Sequence, residues 1–195
     1  MMEGGSRADG RNPNQLRPFS CTGNPLHRAH GSARWAQGDT VVLAAVYGPK
    51  PGTRKGENPE KASIEVVWKP KTGQIGRQQR EYEMTLKRTL QSICLLTVHP
   101  NTTTSVVLQL LPCAINASCA ALAFAGIPMK HLAVAIGCGV MDNGAIILDT
   151  NTAEEQQAKS FAHLVFPNSR KSVDSKDPIS DFMRKTLQKE ASGDA

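Results

Sequence analysis

Between Lys69 and Arg88 the chain reads KPKTGQIGRQQREYEMTLKR, setting Lys69, Lys71, Arg77, Arg80, Lys87 and Arg88 against Glu81 and Glu83. On a helix turning about 100° per residue, Arg77, Glu81 and Arg88 share a narrow arc, with Arg80 at its edge. Leu86, Leu90 and Ile93 fall on the opposite side, so one face presents guanidinium groups while the other can be buried. Gly73 and Gly76 precede this segment and permit close backbone approach, and a helix N-terminus adds oriented N–H groups. Arginine suits phosphate because its planar fork donates two parallel hydrogen bonds. The pattern can hold the phosphates of a polyanion. It is equally the pattern of a solvated amphipathic helix with Arg–Glu pairs, and spacing leaves both readings open.

The second group with chemical capacity is LDTNTAEEQQ, where Asp149 ends a strand-like run and Glu154 and Glu155 follow closely. Carboxylates beside a bound phosphate can coordinate Mg2+, or one can be protonated and serve as general acid to a leaving oxygen. Loop carboxylates are also ordinary surface charge, so this reading too stays open. Asp39 and Asp142 lie in Gly-Asp and Asp-Asn-Gly contexts, which turn geometry explains. None of the histidines sits beside a Ser or Cys in a nucleophile motif. Aromatic residues are 5% of the chain and not interleaved with the basic ones, which argues against a base-stacking platform. Nucleic acid, if bound, is then gripped through its phosphates.

These groups need elements to place them. The first twenty or so residues, rich in Gly, Asn, Pro and Arg, read as an extended arm. GSARWAQGDTVVLAAVYGP predicts a hairpin hinged at Gly38-Asp39, and PKPGTRKGENPEK a long polar loop. SIEVVW predicts a strand and TGQIG a turn opening the helix, whose apolar face carries Leu86, Leu90 and Ile93 until HPN ends it. TTTSVVLQLLP predicts another strand. AINASCAALAFAGIP is a small-residue helix stopped by Gly126 with Pro128 beyond. HLAVAIGCGVMDNGAIILD predicts a hairpin tipped by Asn143-Gly144, QQAKSFAHLVF a further strand, and ISDFMRKTLQKE a basic amphipathic helix. The fold class is α+β, with helices packed on mixed or antiparallel sheets in a single domain spanning residues 1–195.

With 195 residues, 39% of them apolar, the chain can bury a real core. Its net charge of +6 favours an acidic partner such as nucleic acid. The five cysteines are scattered, with no CxxC or Cys/His ligand spacing, which points away from structural zinc and towards a reducing compartment. No stretch has the length and apolarity of a signal peptide or a membrane span, so the expectation is a soluble intracellular protein.

In order along the chain, ADGRNPNQLRPF, GSARWAQGDTVVLAAVYGP, REYEMTLKRTLQSI, AINASCAALAFAGIP and VMDNGAIILDTNTAEE resemble the landmarks of the RNase PH family. That family comprises phosphorolytic exoribonucleases, including polynucleotide phosphorylase and the ring subunits of the RNA exosome. The resemblance implies an RNase PH-like fold and attack by inorganic phosphate on the 3′-terminal phosphodiester of RNA, releasing a nucleoside diphosphate. It assigns Arg88 to phosphate, with Asp149 and Glu155 as the acidic pair, acting as acid or as Mg2+ ligands. It gives Lys69, Lys71, Arg77, Gln78 and Arg80 the RNA backbone, with single-stranded DNA a second candidate.

Two departures stand out. The family's second phosphate-binding arginine falls at Leu111, a loss worth about 2–4 kcal/mol of transition-state stabilisation. The chain also runs short of the family pattern: a Gly/Asp-rich hairpin turn is missing at Gln109–Leu110, and a strand with most of a long helix between Lys171 and Pro178, as expected where loops are omitted. Expected partners are RNA and other RNase PH-like exosome subunits, with a homodimer when isolated, in the nucleus, nucleolus and cytoplasm. An inert ring scaffold lining an RNA channel, or a metal-dependent nuclease that uses water, would share most of these features.

Overall fold

The computed structural model describes residues 7, 9–51, 59–69, 77–109 and 113–168. They form two sheets clamped around a shared core. The larger sheet contains β1 (Phe19–Gly23), β2 (Gly31–Gln37), β3 (Thr40–Pro51), β4 (Ser63–Trp68) and β5 (Thr102–Gln109), in the order β1-β2-β3-β5-β4. All pairs are antiparallel except β4 with β5, which are parallel. A parallel pair needs a crossover, and α1 (Arg77–Ile93) lies within it. The smaller sheet is β7-β6-β8, from β6 (Ala133–Val140), β7 (Ile146–Leu148) and β8 (Ser160–Pro167). Helix α2 (Ala114–Phe124) lies between the sheets, and α3 (Thr152–Gln157) follows β7.

Each long element obeys the periodicity of its sequence. In α1, Leu86, Leu90 and Ile93 are buried, with Leu90 at 0% exposure, and the opposite face is open. The helix stops at Ile93, earlier than HPN predicts. There Cys94 bridges to Met129, and the Leu95 N–H donates to the Pro128 carbonyl at 2.9 Å, so tertiary bonds capture the backbone. Helix α2 is buried on nearly every side, and its small residues let it lie close to the strands. A Cβ on Gly31 of β2 would come within 2.3 Å of the Ala125 backbone nitrogen, so only glycine permits that approach. Gly126, with φ +68°, ends α2 as predicted. Asp142, Asn143 and Gly144 make the β6–β7 turn, closed by Met141 N–H to Ala145 O at 2.9 Å.

Asn116 joins the two halves. Buried on α2, it donates to the Ala135 carbonyl at 2.9 Å and accepts from the Ala135 N–H at 2.7 Å. One side chain thus takes the place of a neighbouring strand for β6.

Two elements differ from the sequence expectation. Residues read as the end of an arm form β1, paired with β2 from Phe19↔Gln37 to Gly23↔Ala33, with the Phe19 ring stacked on Trp35 at 5.5 Å. Polar alternation in FSCTG hides this strand, because β1 is a sheet edge with little buried surface. The acidic segment expected as a loop is α3, started by a capping box in which Asn151 and Glu154 exchange hydrogen bonds of 2.9 Å. The predicted helix at ISDFMRKTLQKE and the two places where the chain runs short lie outside the described residues.

Candidate active site

The acidic segment sits where β7 passes into α3, against β6 and the returning N-terminal arm. Asp149 is at the junction, 3% exposed, with φ +52°. Its N–H donates to the Gly137 carbonyl at 2.8 Å, which keeps the junction attached to β6. The left-handed conformation then turns the chain towards the Asn151 cap; aspartate tolerates it better than most residues.

Three arginines of the arm converge here. Arg17 donates to the Asp149 carboxylate three times, from its backbone N–H (2.7 Å), Nε (3.0 Å) and Nη2 (2.7 Å). Arg11 Nη1 reaches the Asp149 backbone oxygen at 3.2 Å. Arg7 Nη2 reaches that same oxygen at 3.0 Å, Nη1 reaches the Leu148 carbonyl at 2.8 Å, and Nε donates to Glu154 at 2.7 Å. Burial pushes the Asp149 carboxyl up, but the bonds from Arg17 outweigh it and hold the group below the ordinary aspartate value. Glu154 is held low first by its hydrogen bond from Arg7, against a smaller effect of burial.

Glu155 is different. It is half-buried, its hydrogen bond is from Thr150 Oγ1 at 3.4 Å, and no arginine pairs with it among the described residues. Burial raises its carboxyl above the ordinary glutamate value; Thr150 and the charge of Arg17 oppose this only in part. It borders a cavity of about 10 Å³, room for about one water, lined also by Arg17, Gln37, Cys113, Gly137 and Phe161. Gln37 organises the cavity wall: its Oε1 accepts from Cys113 Sγ at 3.2 Å and from Trp35 Nε1 at 3.4 Å, while its side chain bonds Asp149. The Cys113 thiol is pushed up to about 12, mainly by burial, so it stays protonated and non-nucleophilic.

The acidic pair expected from sequence is therefore brought to one place but divided in role. Asp149 is ionised and consumed by arginine, whereas Glu155 can carry a proton. The Mg2+ expectation for Asp149 and Glu155 does not fit this donor set. Both Asp149 oxygens already accept from Arg17, leaving a lone carboxylate where Mg2+ would need several free oxygens. No cluster of three His, Cys, Asp or Glu suited to a metal occurs among the described residues.

Arg88 is exposed on α1, makes no hydrogen bond or ion pair among the described residues, and is not among the residues lining the Glu155 cavity. Lys69, just past β4, and Arg80, in the first turn of α1, are exposed at the same end of that crossover. Arg77 and Gln78 begin α1, and Lys71 and Leu111 lie outside the described residues. Sequence reasoning missed Arg7, Arg11 and Arg17. Their regular appearance in a Pro- and Asn-rich arm is a signal only when opposite charge is known to await them.

Comparison with known proteins adds an independent line. Residues 15–128 match the 3′ exoribonuclease family, domain 1 (RNase PH). A protein of Oryza sativa subsp. japonica named exosome complex exonuclease RRP46 homolog is 70% identical over 234 positions, covering 97% of this chain and 98% of that protein. Its namesake in Arabidopsis thaliana is 66% identical over 174 residues, covering 86% of this chain and 73% of that protein. The crystal structure of rice Rrp46 matches the fold with a TM-score of 0.83 at 73% identity, over 93% of this chain and 100% of that one.

Proposed function

The chain belongs to the RNase PH family of 3′ exoribonucleases, and from that premise we propose that it is an RNA exosome ring subunit with weakened phosphorolytic activity. The observation that carries the activity is Glu155, a carboxyl raised by burial and not paired with an arginine among the described residues, while its acidic neighbours are taken. In the proposed step inorganic phosphate attacks the terminal phosphorus. The bond to the preceding 3′ oxygen breaks, Glu155 protonates that oxygen, and a nucleoside diphosphate leaves. Arg88, exposed and unpaired among the described residues, is available to a phosphate. Lys69 and Arg80, with Lys71, Arg77 and Gln78, carry the RNA backbone, and single-stranded DNA shares that phosphate chemistry.

The test is labelled single-stranded RNA incubated with and without inorganic phosphate. Nucleoside diphosphates that appear only with phosphate support the reading, and Glu155→Gln should lower their release by about 10²–10⁴-fold while sparing RNA binding. Monophosphates formed without phosphate would instead indicate hydrolysis. Lys69→Glu and Arg80→Glu should weaken RNA binding, with the salt slope falling by about 0.7 per lost phosphate contact.

A second reading, the inert ring scaffold, is favoured by Leu111, which stands where the family pattern has its second phosphate-binding arginine. An absence of products from RNA that is nevertheless bound would select it. In either case the relatives named for the exosome support assembly beside other RNase PH-like subunits, and the reading extends to self-pairing when the chain is isolated. Residence in nucleus, nucleolus and cytoplasm follows from the same reading.

A further inference from the structure

Asp149 has the chemical type of a proton donor but none of the freedom of one. Oδ2 accepts from the Arg17 backbone N–H and Nε, and Oδ1 from Nη2, while its own carbonyl accepts from Arg7 and Arg11. These bonds hold a left-handed residue at the point where β7 ends. The N-cap of α3, Asn151, follows two residues later, and the helix carries Glu155 to the cavity. The placement of Glu155 thus depends on a turn that Arg17 pins from the other end of the chain.

We propose that Arg17 is a positioning residue, acting through Asp149 to fix the β7–α3 turn and with it Glu155, and that Asp149 itself transfers no proton. The catalytic consequence rests on the phosphorolytic reading above. Arg17 lines the same cavity as Glu155, yet its guanidinium is committed to Asp149 and is not offered to an incoming phosphate. Lysine cannot reproduce the arrangement, because a point charge cannot bridge both carboxylate oxygens in one plane. The low-lying Asp149 carboxyl agrees with the geometry.

The experiment compares the full chain with Arg17→Met, Arg17→Lys, Asp149→Asn, Arg17→Met/Asp149→Asn and Glu155→Gln, reading steady-state phosphorolysis and amide hydrogen exchange together. Arg17→Met should lower kcat about tenfold or more and leave KM for RNA and phosphate within about twofold. The double variant should be no slower than the worse single one, as expected for residues acting as a unit. Asp149→Asn should retain at least about a tenth of kcat, whereas Glu155→Gln should fall below about a hundredth. Amides of Glu154 and Glu155 should exchange faster in Arg17→Met, with α2 unchanged.

Asp149→Asn as inactive as Glu155→Gln, with α3 amides still protected, would make Asp149 the proton donor and overturn the proposal. So would a rise in KM for phosphate at constant kcat in Arg17→Met, which would make Arg17 a phosphate ligand. If the unmodified chain releases no diphosphate, the phosphorolytic reading falls and the exchange result alone decides: unchanged α3 protection in Arg17→Met refutes the positioning role. Arg17→Lys supplies the same comparison should Arg17→Met fail to fold.

Discussion

Replacing Asp149 by Ala removes the counter-ion of Arg17, whose side chain is only 14% exposed, and one of the three carboxylates facing Arg11, the others being Asp9 and Glu154. Stranding a buried charge costs about 3–5 kcal/mol, so the urea midpoint should drop with its slope unchanged. Glu155→Gln should behave in the opposite way. The folded chain raises the Glu155 carboxyl, so its ionised form opposes folding, and an amide of the same shape removes that opposition. The variant should be at least as stable as the parent near pH 7 while losing activity, as expected where function is maintained against stability. A lower urea midpoint for Glu155→Gln would show that Glu155 is a structural residue. Adjacent glutamates cannot be told apart by composition. Yet the Asn151-x-x-Glu154 spacing marks Glu154 as the capping residue and leaves its neighbour available. Reading the segment as a loop misses that signal; the commitment of Asp149 has no local signal at all, because it depends on arginines more than 130 positions away.

At the scale of elements, Asn116 ties α2 to β6 through both backbone groups of Ala135. Asn116→Ala would leave a buried N–H and a buried C=O unpaired, at about 1–3 kcal/mol each before relaxation. A loss of about 2–4 kcal/mol is expected, and hydrogen exchange should report it first in β6. Protection of β6 equal to that of the parent would place the link between the halves elsewhere. The elements legible in sequence are those whose own residues state their partner-independent rule. The Leu86–Leu90–Ile93 stripe, the Asn143-Gly144 tip and the Gly126 stop each encode local geometry. The misread ones depend on distant partners: β1 exists because β2 offers an edge, and α1 ends where Met129 and Pro128 capture its exit.

Across the whole molecule, the N-terminal arm closes the chain on itself, with Arg7 and Arg17 reaching Glu154 and Asp149 on the far side of the sequence. The rice relative aligns over 234 positions, 39 more than the 195 residues here, so at least that many positions of the alignment have no residue of this chain. Closure by the arm ties Glu154 of α3 and the exit of β7 to the N-terminus through these pairs. It should also set the acid limit of stability. Both carboxyls lie below their ordinary values when folded, and their arginines stay charged throughout. A depressed carboxyl adds stability that is fully present above its unfolded value, about pH 4, and is lost as pH falls through the folded value. The part of the melting temperature that the arm pairs supply, read as the difference between parent and a variant lacking both carboxylates, should therefore be nearly flat from about pH 7 to about pH 5 and fall steeply below about pH 4. Asp149→Asn/Glu154→Gln should melt lower at pH 7 and show a shallower acid limb, because its arm closure no longer titrates. Parallel acid limbs in parent and variant would mean that other carboxylates govern acid unfolding and that the arm pairs contribute little.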